Sequence, residues 1–215
     1  MLTIGISGGS GSGKSTVVNE LINRLPAEAV SLIPQDSYYW DNGEKTPEEK
    51  QNINFDHPDA IEWPLLIAQF KALKNGNSIK MPVYSYVTCA RSRETELVVP
   101  RKIIIVEGIL ILTEPELVDL LDIKIFVDAD PDERLMRIIR RDIEERGRTF
   151  DQGMHHYETF VKPMHLQFVE PSRRFADIIV PQGGKNSVAM DILASRINPS
   201  NQHFSLHPQD QDGKR

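Results

Sequence analysis

The chain reads as an α/β domain, a parallel sheet covered by helices on both faces. Three observations predict it. Strand-like and helix-like segments alternate along the chain. A Gly/Ser run stands directly between the first strand and the first helix. Ile103-Ile104-Ile105-Val106 is wholly β-branched and bounded by charge, the pattern of a central parallel strand buried on both sides. A length of 215 residues suits one such domain and is short for two, and 40% apolar residues suffice to fill its core. Disorder, collagen and coiled coil are excluded for the chain as a whole.

Taken in order, Leu2 to Ser7 reads as a short buried strand, and Ser15 to Leu25 as a helix with Val17, Val18, Leu21, Ile22 and Leu25 on one stripe, stopped by Pro26. Ala29 to Ile33 is the second strand, with a turn-rich aromatic segment from Pro34 to Trp40. Asp41 to Asn54 is polar and loop-like. Pro58 to Leu73 has a helical pattern, with Asp56 or Asp59 as its cap and Asn75-Gly76-Asn77 as its stop. Over 78–100 the period changes to two, which predicts a hairpin with its tip near Arg91. Ile123 to Val127 is another buried strand. Pro131 opens a long helix that Gly147 ends, and a further helix from Gln152 to Val169 carries Pro163, which predicts a kink. Ile178 to Val180 is the last strand, and Asn186 is placed to cap the final helix. Residues 1–197 therefore form a single domain, with a hairpin insertion and a helical segment at 131–160; residues 198–215 read as a flexible polar tail.

The charge balance, 25 Lys+Arg against 31 Asp+Glu for a net −6, argues against a nucleic-acid or membrane-surface partner. It leaves room for a small anion held by local cations. The N-terminal stretch lacks a basic n-region, and its apolar run breaks at Gly5. One cysteine, Cys89, allows no internal disulfide, so a reducing, cytoplasmic setting is the expectation.

Gly8-Gly9-Ser10-Gly11-Ser12-Gly13-Lys14-Ser15 has the spacing G-x-x-x-x-G-K-[ST], and Thr16 follows. Glycines let successive backbone N–H groups turn inward onto phosphate oxygens, and the following helix adds its positive end. Lys14 would reach the β- and γ-phosphates and the Ser15 hydroxyl would ligate Mg²⁺. The fold class is then a P-loop NTPase type that binds a nucleoside triphosphate.

Two strand ends add acids. Glu107, closing the buried Ile103–Val106 run, would sit at the edge where open α/β sheets bind ligands and could hold Mg²⁺, or could simply face solvent. Asp36 would project from the same edge, as a base for an attacking hydroxyl or as a turn-former after Pro34. Asp56 is open between substrate ligand and helix cap. Arg134, Arg137, Arg140, Arg141, Arg146 and Arg148 crowd one helix and its exit. Arg137 and Arg141 are like charges at i,i+4, which a plain solvated face would avoid and which arginines converging on phosphates would explain. That makes 131–160 an arginine-rich lid. His155-His156 has no second pair at ligand spacing and is not read as a metal site. Nothing near Cys89 in sequence would activate it as a nucleophile. Trp40 and Trp63 are read as packing residues.

Together these segments resemble the uridine/cytidine kinase family, within the wider group that includes phosphoribulokinase. The resemblance runs over about residues 1–197, through Gln35-Asp36-Ser37-Tyr38-Tyr39, Asn54-Phe55-Asp56-His57-Pro58-Asp59-Ala60, Pro82-Val83-Tyr84-Ser85-Tyr86, Glu107-Gly108-Ile109, Arg141-Asp142 to Arg148, and Glu170-Pro171 to Pro181. It implies transfer of the γ-phosphate of ATP or GTP to the 5′-hydroxyl of uridine or cytidine in pyrimidine salvage. Asp36 would be the base, Ser15 and Glu107 would serve Mg²⁺, and Lys14, Arg141 and Arg146 would hold the triphosphate and the transferring group. Asp56 would grip a ribose hydroxyl, Tyr84 and Tyr86 would meet the pyrimidine, and Arg148 would reach the nucleoside from the lid. A homo-oligomer, often a tetramer, is also implied. Three positions depart from the family pattern. Cys89 stands for a His that reads the pyrimidine edge, Ile138 for an Arg that reaches the ribose, and His156 for a Gln that contacts the base. These keep open a different nucleoside or a sugar-like alcohol as acceptor. A nucleotide-binding regulator without catalysis is disfavoured by Lys14, Ser15, Asp36 and Glu107.

Overall fold

A computed structural model describes residues 1–26 and 28–198. Five strands, β1 (Leu2–Ser7), β2 (Val30–Pro34), β5 (Ile103–Glu107), β6 (Ile123–Asp128) and β7 (Ile178–Pro181), form one parallel sheet in the order β2-β5-β1-β6-β7. A separate antiparallel pair, β3 (Ile79–Ser85) and β4 (Ala90–Val98), makes the hairpin. Strand β5, an interior strand between β2 and β1 rather than the central one, alternates between two cores, because successive strand side chains point to opposite faces. Ile104 and Val106 join a cluster with Phe70, Leu66 and the hairpin's Met81. Ile103 and Ile105 join one with Val17, Leu21 and Met190. The first core is covered by α3 (Trp63–Lys74); the second lies under α1 (Lys14–Arg24) and α9 (Ser187–Ile197), the latter capped by Asn186 accepting from the Ala189 N–H.

Register matters more to the site than the cores do. Glu107 pairs with Pro34 on one side and Ile6 on the other. Three strands thus end level, and the chain leaves all of them at one edge.

Several elements differ from the sequence expectation. A short helix, α2 (Pro47–Gln51), interrupts the expected loop at 41–54; Thr46 and Glu49 form a reciprocal capping box around it. Neither Asp56 nor Asp59 caps a helix. The chain makes a 3₁₀ turn at Pro58–Ala60, Ile61 bridges to Tyr39 in extended conformation, and α3 starts only at Trp63, with Glu62 as an N-cap whose side chain makes no capping bond. The hairpin tip lies at 86–89 rather than near Arg91, which pairs with Tyr84 and is drawn inward by an ion pair with Glu62. The expected kinked helix runs from α6 (Phe150–His156) through α7 (Lys162–Met164) and α8 (Glu170–Ser172), with π-type turns at Tyr157–Val161 and His165–Val169 just ahead of Pro163 and Pro171. A widened turn accommodates a residue that has no N–H to give, so the chain stays helical past both prolines. The tail expected at 198–215 lies, from residue 199 on, outside the described residues.

Candidate functional site

The level strand ends deliver three loops to one place. The phosphate loop follows β1, and Gly11 within it has φ +75, a left-handed conformation. A Cβ at Gly11 would lie 2.6 Å from the carbonyl oxygen of Arg134, because α5 (Pro131–Glu144) is pressed onto the loop. Arg137 Nη1 donates to the Gly11 carbonyl at 3.1 Å, and the buried Arg134 sends Nη1 toward the Ser10 carbonyl at 3.5 Å. The second loop follows β2 as a 3₁₀ turn, Gln35–Tyr38, carrying Asp36. Gln35 is buried and its Oε1 accepts from the Leu110 N–H at 2.8 Å. That contact needs Gly108: any Cβ there would fall 2.3 Å from Cβ of Gln35. The third loop begins at Glu107.

Between them lies a cavity of about 250 Å³. Ser10, Gly11, Gly13, Lys14, Ser15, Thr16, Asp36, Asp56, Tyr86, Glu107, Arg141, Arg146 and His156 all line it. Gly8, Gly9 and Ser12 belong to the loop without lining the space, and the Ser12 hydroxyl is buried. Lys14 folds back over the loop, Nζ donating to the Gly9 carbonyl at 3.3 Å. Burial pushes its pKa down, against the pull of Glu107 and Asp36. Burial likewise pushes the Glu107 and Asp56 carboxyls up, with Lys14 opposing at Glu107 and Arg141 at Asp56. Asp56 Oδ1 accepts from the Ser10 hydroxyl at 3.3 Å, so its partner is the phosphate loop. Arg141 turns into the cavity with a buried Nε that has no hydrogen-bond partner among the described residues.

The other wall is aromatic. Tyr39 and Phe55, to which the sequence assigned no role, line the cavity with ring centroids 5.0 Å apart, and Tyr86 lies 5.4 Å from Phe55. Tyr84 stands behind, 5.4 Å from Tyr39, and does not line this space. Arg146 lies over the Tyr86 ring, 4.5 Å from its centroid.

A second cavity, of about 730 Å³, opens beside the first. Cys89, Arg148 and His156 line it, with Arg146 and His156 shared between the two. The Cys89 thiol is turned back toward the Tyr86 carbonyl, 3.4 Å away, at a residue with φ +52. Ile138 is buried with Tyr157 and Val161 and contributes to the first cavity's wall. The six arginines therefore divide. Arg134 and Arg137 grip the phosphate loop, Arg137 also lining the first cavity; Arg141, Arg146 and Arg148 face the cavities, and Arg140 faces solvent. Trp63 packs against the core and donates to the Pro58 carbonyl, whereas Trp40, expected to pack, is 46% exposed. The sequence also left Asp142 without a role. It is wholly buried and receives Arg146 and Arg148; its only local signal is the i,i+4 spacing to Arg146.

A phosphate loop on the edge of this sheet, with its lysine, a strand-end acid and arginines around one cavity, defines a kinase of the P-loop class. The chain belongs to the phosphoribulokinase/uridine kinase family, whose pattern matches residues 3–189. It is 50% identical over 91% of its length, and 94% of the relative's, to a protein named uridine kinase from Clostridium tetani. It is 48% identical over 90% of its length, and 91% of the relative's, to one of the same name from Ligilactobacillus salivarius. A kinase attributed to a fructose transport system of Silicibacter sp. TM1040 shares the fold, with a TM-score of 0.69 at 22% identity over 84% of this chain and 89% of that one. No helix among the described residues is long and apolar enough to cross a membrane.

Proposed function

We propose that the protein transfers the γ-phosphate of ATP, or of GTP, to the 5′-hydroxyl of uridine or cytidine and releases the nucleoside 5′-monophosphate. The observation that carries this reading is a single cavity in which Lys14 and Arg141 meet Asp36, Asp56 and an aromatic wall. The shared name of relatives half identical to this chain supplies the acceptor.

In this reading Asp36 accepts the proton of the 5′-hydroxyl as that oxygen attacks the γ-phosphorus in line. The bond from phosphorus to the β–γ bridging oxygen breaks as the new one forms, and the nucleoside diphosphate leaves with the electron pair. Lys14, Arg141 and Arg146 take up charge on the transferring group, in a walled space where such contacts are stronger than in water. Asp56 holds a ribose hydroxyl. Tyr39, Phe55 and Tyr86 present ring faces and edges to a flat pyrimidine, and Tyr84 supports them. Arg148, Cys89 and His156 border the base from the second cavity. Ser15 and Glu107 suit Mg²⁺, since a hydroxyl and a carboxylate are hard oxygen donors and both line the cavity beside Lys14. That ion would neutralise phosphate charge. We place the enzyme in the cytoplasm, where ATP is available and Cys89 stays reduced. We also expect a homo-oligomer, which sedimentation would read.

The test is ADP release from Mg-ATP with uridine, cytidine, adenosine, guanosine, thymidine and ribulose 5-phosphate as acceptors. Fastest turnover with uridine or cytidine is expected. Silence on both, with turnover of another acceptor, overturns the reading and points to Cys89, Ile138 and His156 as the positions that rebuilt the pocket.

A further inference from the structure

The carboxylate of Asp142 is wholly buried, with three arginines gathered on it. Oδ2 accepts from Arg148 Nη1 at 2.6 Å, Oδ1 accepts from Arg146 Nη1 at 3.3 Å, and Arg141 Nε lies 3.9 Å from Oδ1. The Arg148 backbone N–H also returns to the Asp142 carbonyl at 3.0 Å, closing the turn that leaves α5 through Gly147. Helix α6 packs over this turn at Gly153, where a Cβ would lie 3.8 Å from Cβ of Asp142. Arg141 lines the phosphate-side cavity, Arg148 lines the second cavity, and Arg146 lines both while covering the Tyr86 ring.

We infer that Asp142 is a positioning residue of the transfer reaction: it holds the three arginines against their mutual repulsion and apportions them, Arg141 and Arg146 to the transferring phosphoryl group and Arg148 to the acceptor. This rests on the function proposed above. Asp142 acts by preorganisation. Three guanidinium groups within eight residues repel one another, and two of them follow a helix end beside a glycine, where long side chains otherwise sample solvent. A desolvated carboxylate at their centre fixes them before substrate arrives, so less order has to be imposed at the moment of reaction. Asp142 touches neither cavity and acts only through the arginines.

The test is a double-substitution cycle with separate readings of kcat, of the acceptor KM and of ADP affinity. Asp142→Asn should lower kcat by about a hundredfold and raise the acceptor KM about tenfold, with ADP affinity within about threefold of wild type. In an Arg148→Ala background the same substitution should raise the acceptor KM no more than about twofold, since Arg148 is then no longer there to misplace. If Asp142→Asn fails to fold, Asp142→Glu retains the charge and displaces it by one methylene. It should show the same split between kcat, acceptor KM and ADP affinity at smaller size. Equal effects on the acceptor KM in both backgrounds overturn the inference. So does a loss confined to melting temperature, with kcat and both constants unchanged per folded molecule. The wild-type acceptor panel separates this from the function itself: should another acceptor prove to be the substrate, the cycle is run with that acceptor and judged by the same outcomes.

Discussion

The two halves of the cavity are built in different ways. The phosphate cradle is continuous in sequence: a strand, a loop and the first turn of α1, within residues 2–16, supply Gly8 to Thr16, and Glu107, Arg141 and Arg146 join that side from elsewhere. The acceptor side gathers Asp56, Tyr86 with Cys89 at the hairpin tip, Arg148 and His156 from four separate stretches of chain. Local backbone geometry can define a phosphate cradle because N–H groups and a helix end do most of the binding. A nucleoside has several faces, so its pocket needs side chains that only long-range packing can bring together. The halves meet at few places, among them the Ser10–Asp56 hydrogen bond and Arg146, which borders both cavities.

Asp36→Asn gives the largest expected effect. With nucleotide affinity retained it should lose about a thousandfold or more in kcat, since a group that takes a proton in the transition state is worth that order. Turnover within a few-fold of wild type would remove Asp36 as the base. Gly11→Ala probes the phosphate half. The new Cβ meets the Arg134 carbonyl on a backbone already at positive φ, so we expect a stability loss of about 1–3 kcal/mol and weaker ADP binding, read by denaturant titration and calorimetry. Tyr86→Leu probes the acceptor half. It removes the ring under Arg146, and should raise the acceptor KM about tenfold with ADP affinity unchanged. Equal loss on both substrates would mean that the halves are not separable.

The smallest effect concerns acid stability. Burial lowers the pKa of His156 from 6.5 to about 4, with Arg148 adding to the fall, and burial with Arg134 does the same for His165. A base whose pKa is lower in the folded state binds more protons when unfolded, so folding stability declines as pH drops from about 6.5 towards 4. The melting temperature should fall through that window, and His165→Gln should flatten the slope. An unchanged slope would place the acid sensitivity elsewhere.

Much of the molecule was legible because its signals are local. The β-branched run at Ile103–Val106, the stop at Gly147 and the cap at Asn186 each depend on neighbouring residues. The capping box at Thr46 and Glu49 is equally local, but the helix it opens buries no residue, so no apolar stripe marks it in the sequence. Asp36 and Glu107 were legible as strand-end acids by their position in a parallel sheet, though only the register of Glu107 with Pro34 and Ile6 makes them neighbours.

The sequence by itself determined the phosphate loop, the parallel sheet and the set of charged groups at its edge. Backbone dihedrals, hydrophobic period and strand-end position are properties of contiguous residues. Tertiary structure alone decided how the arginines divide, two onto the loop, three around Asp142 and one to solvent. It alone placed Tyr39 and Phe55 in the cavity wall and moved the hairpin tip from Arg91 to 86–89. A long charged side chain can reach in many directions, and which one it takes depends on the carboxylate or carbonyl that packing sets within its range.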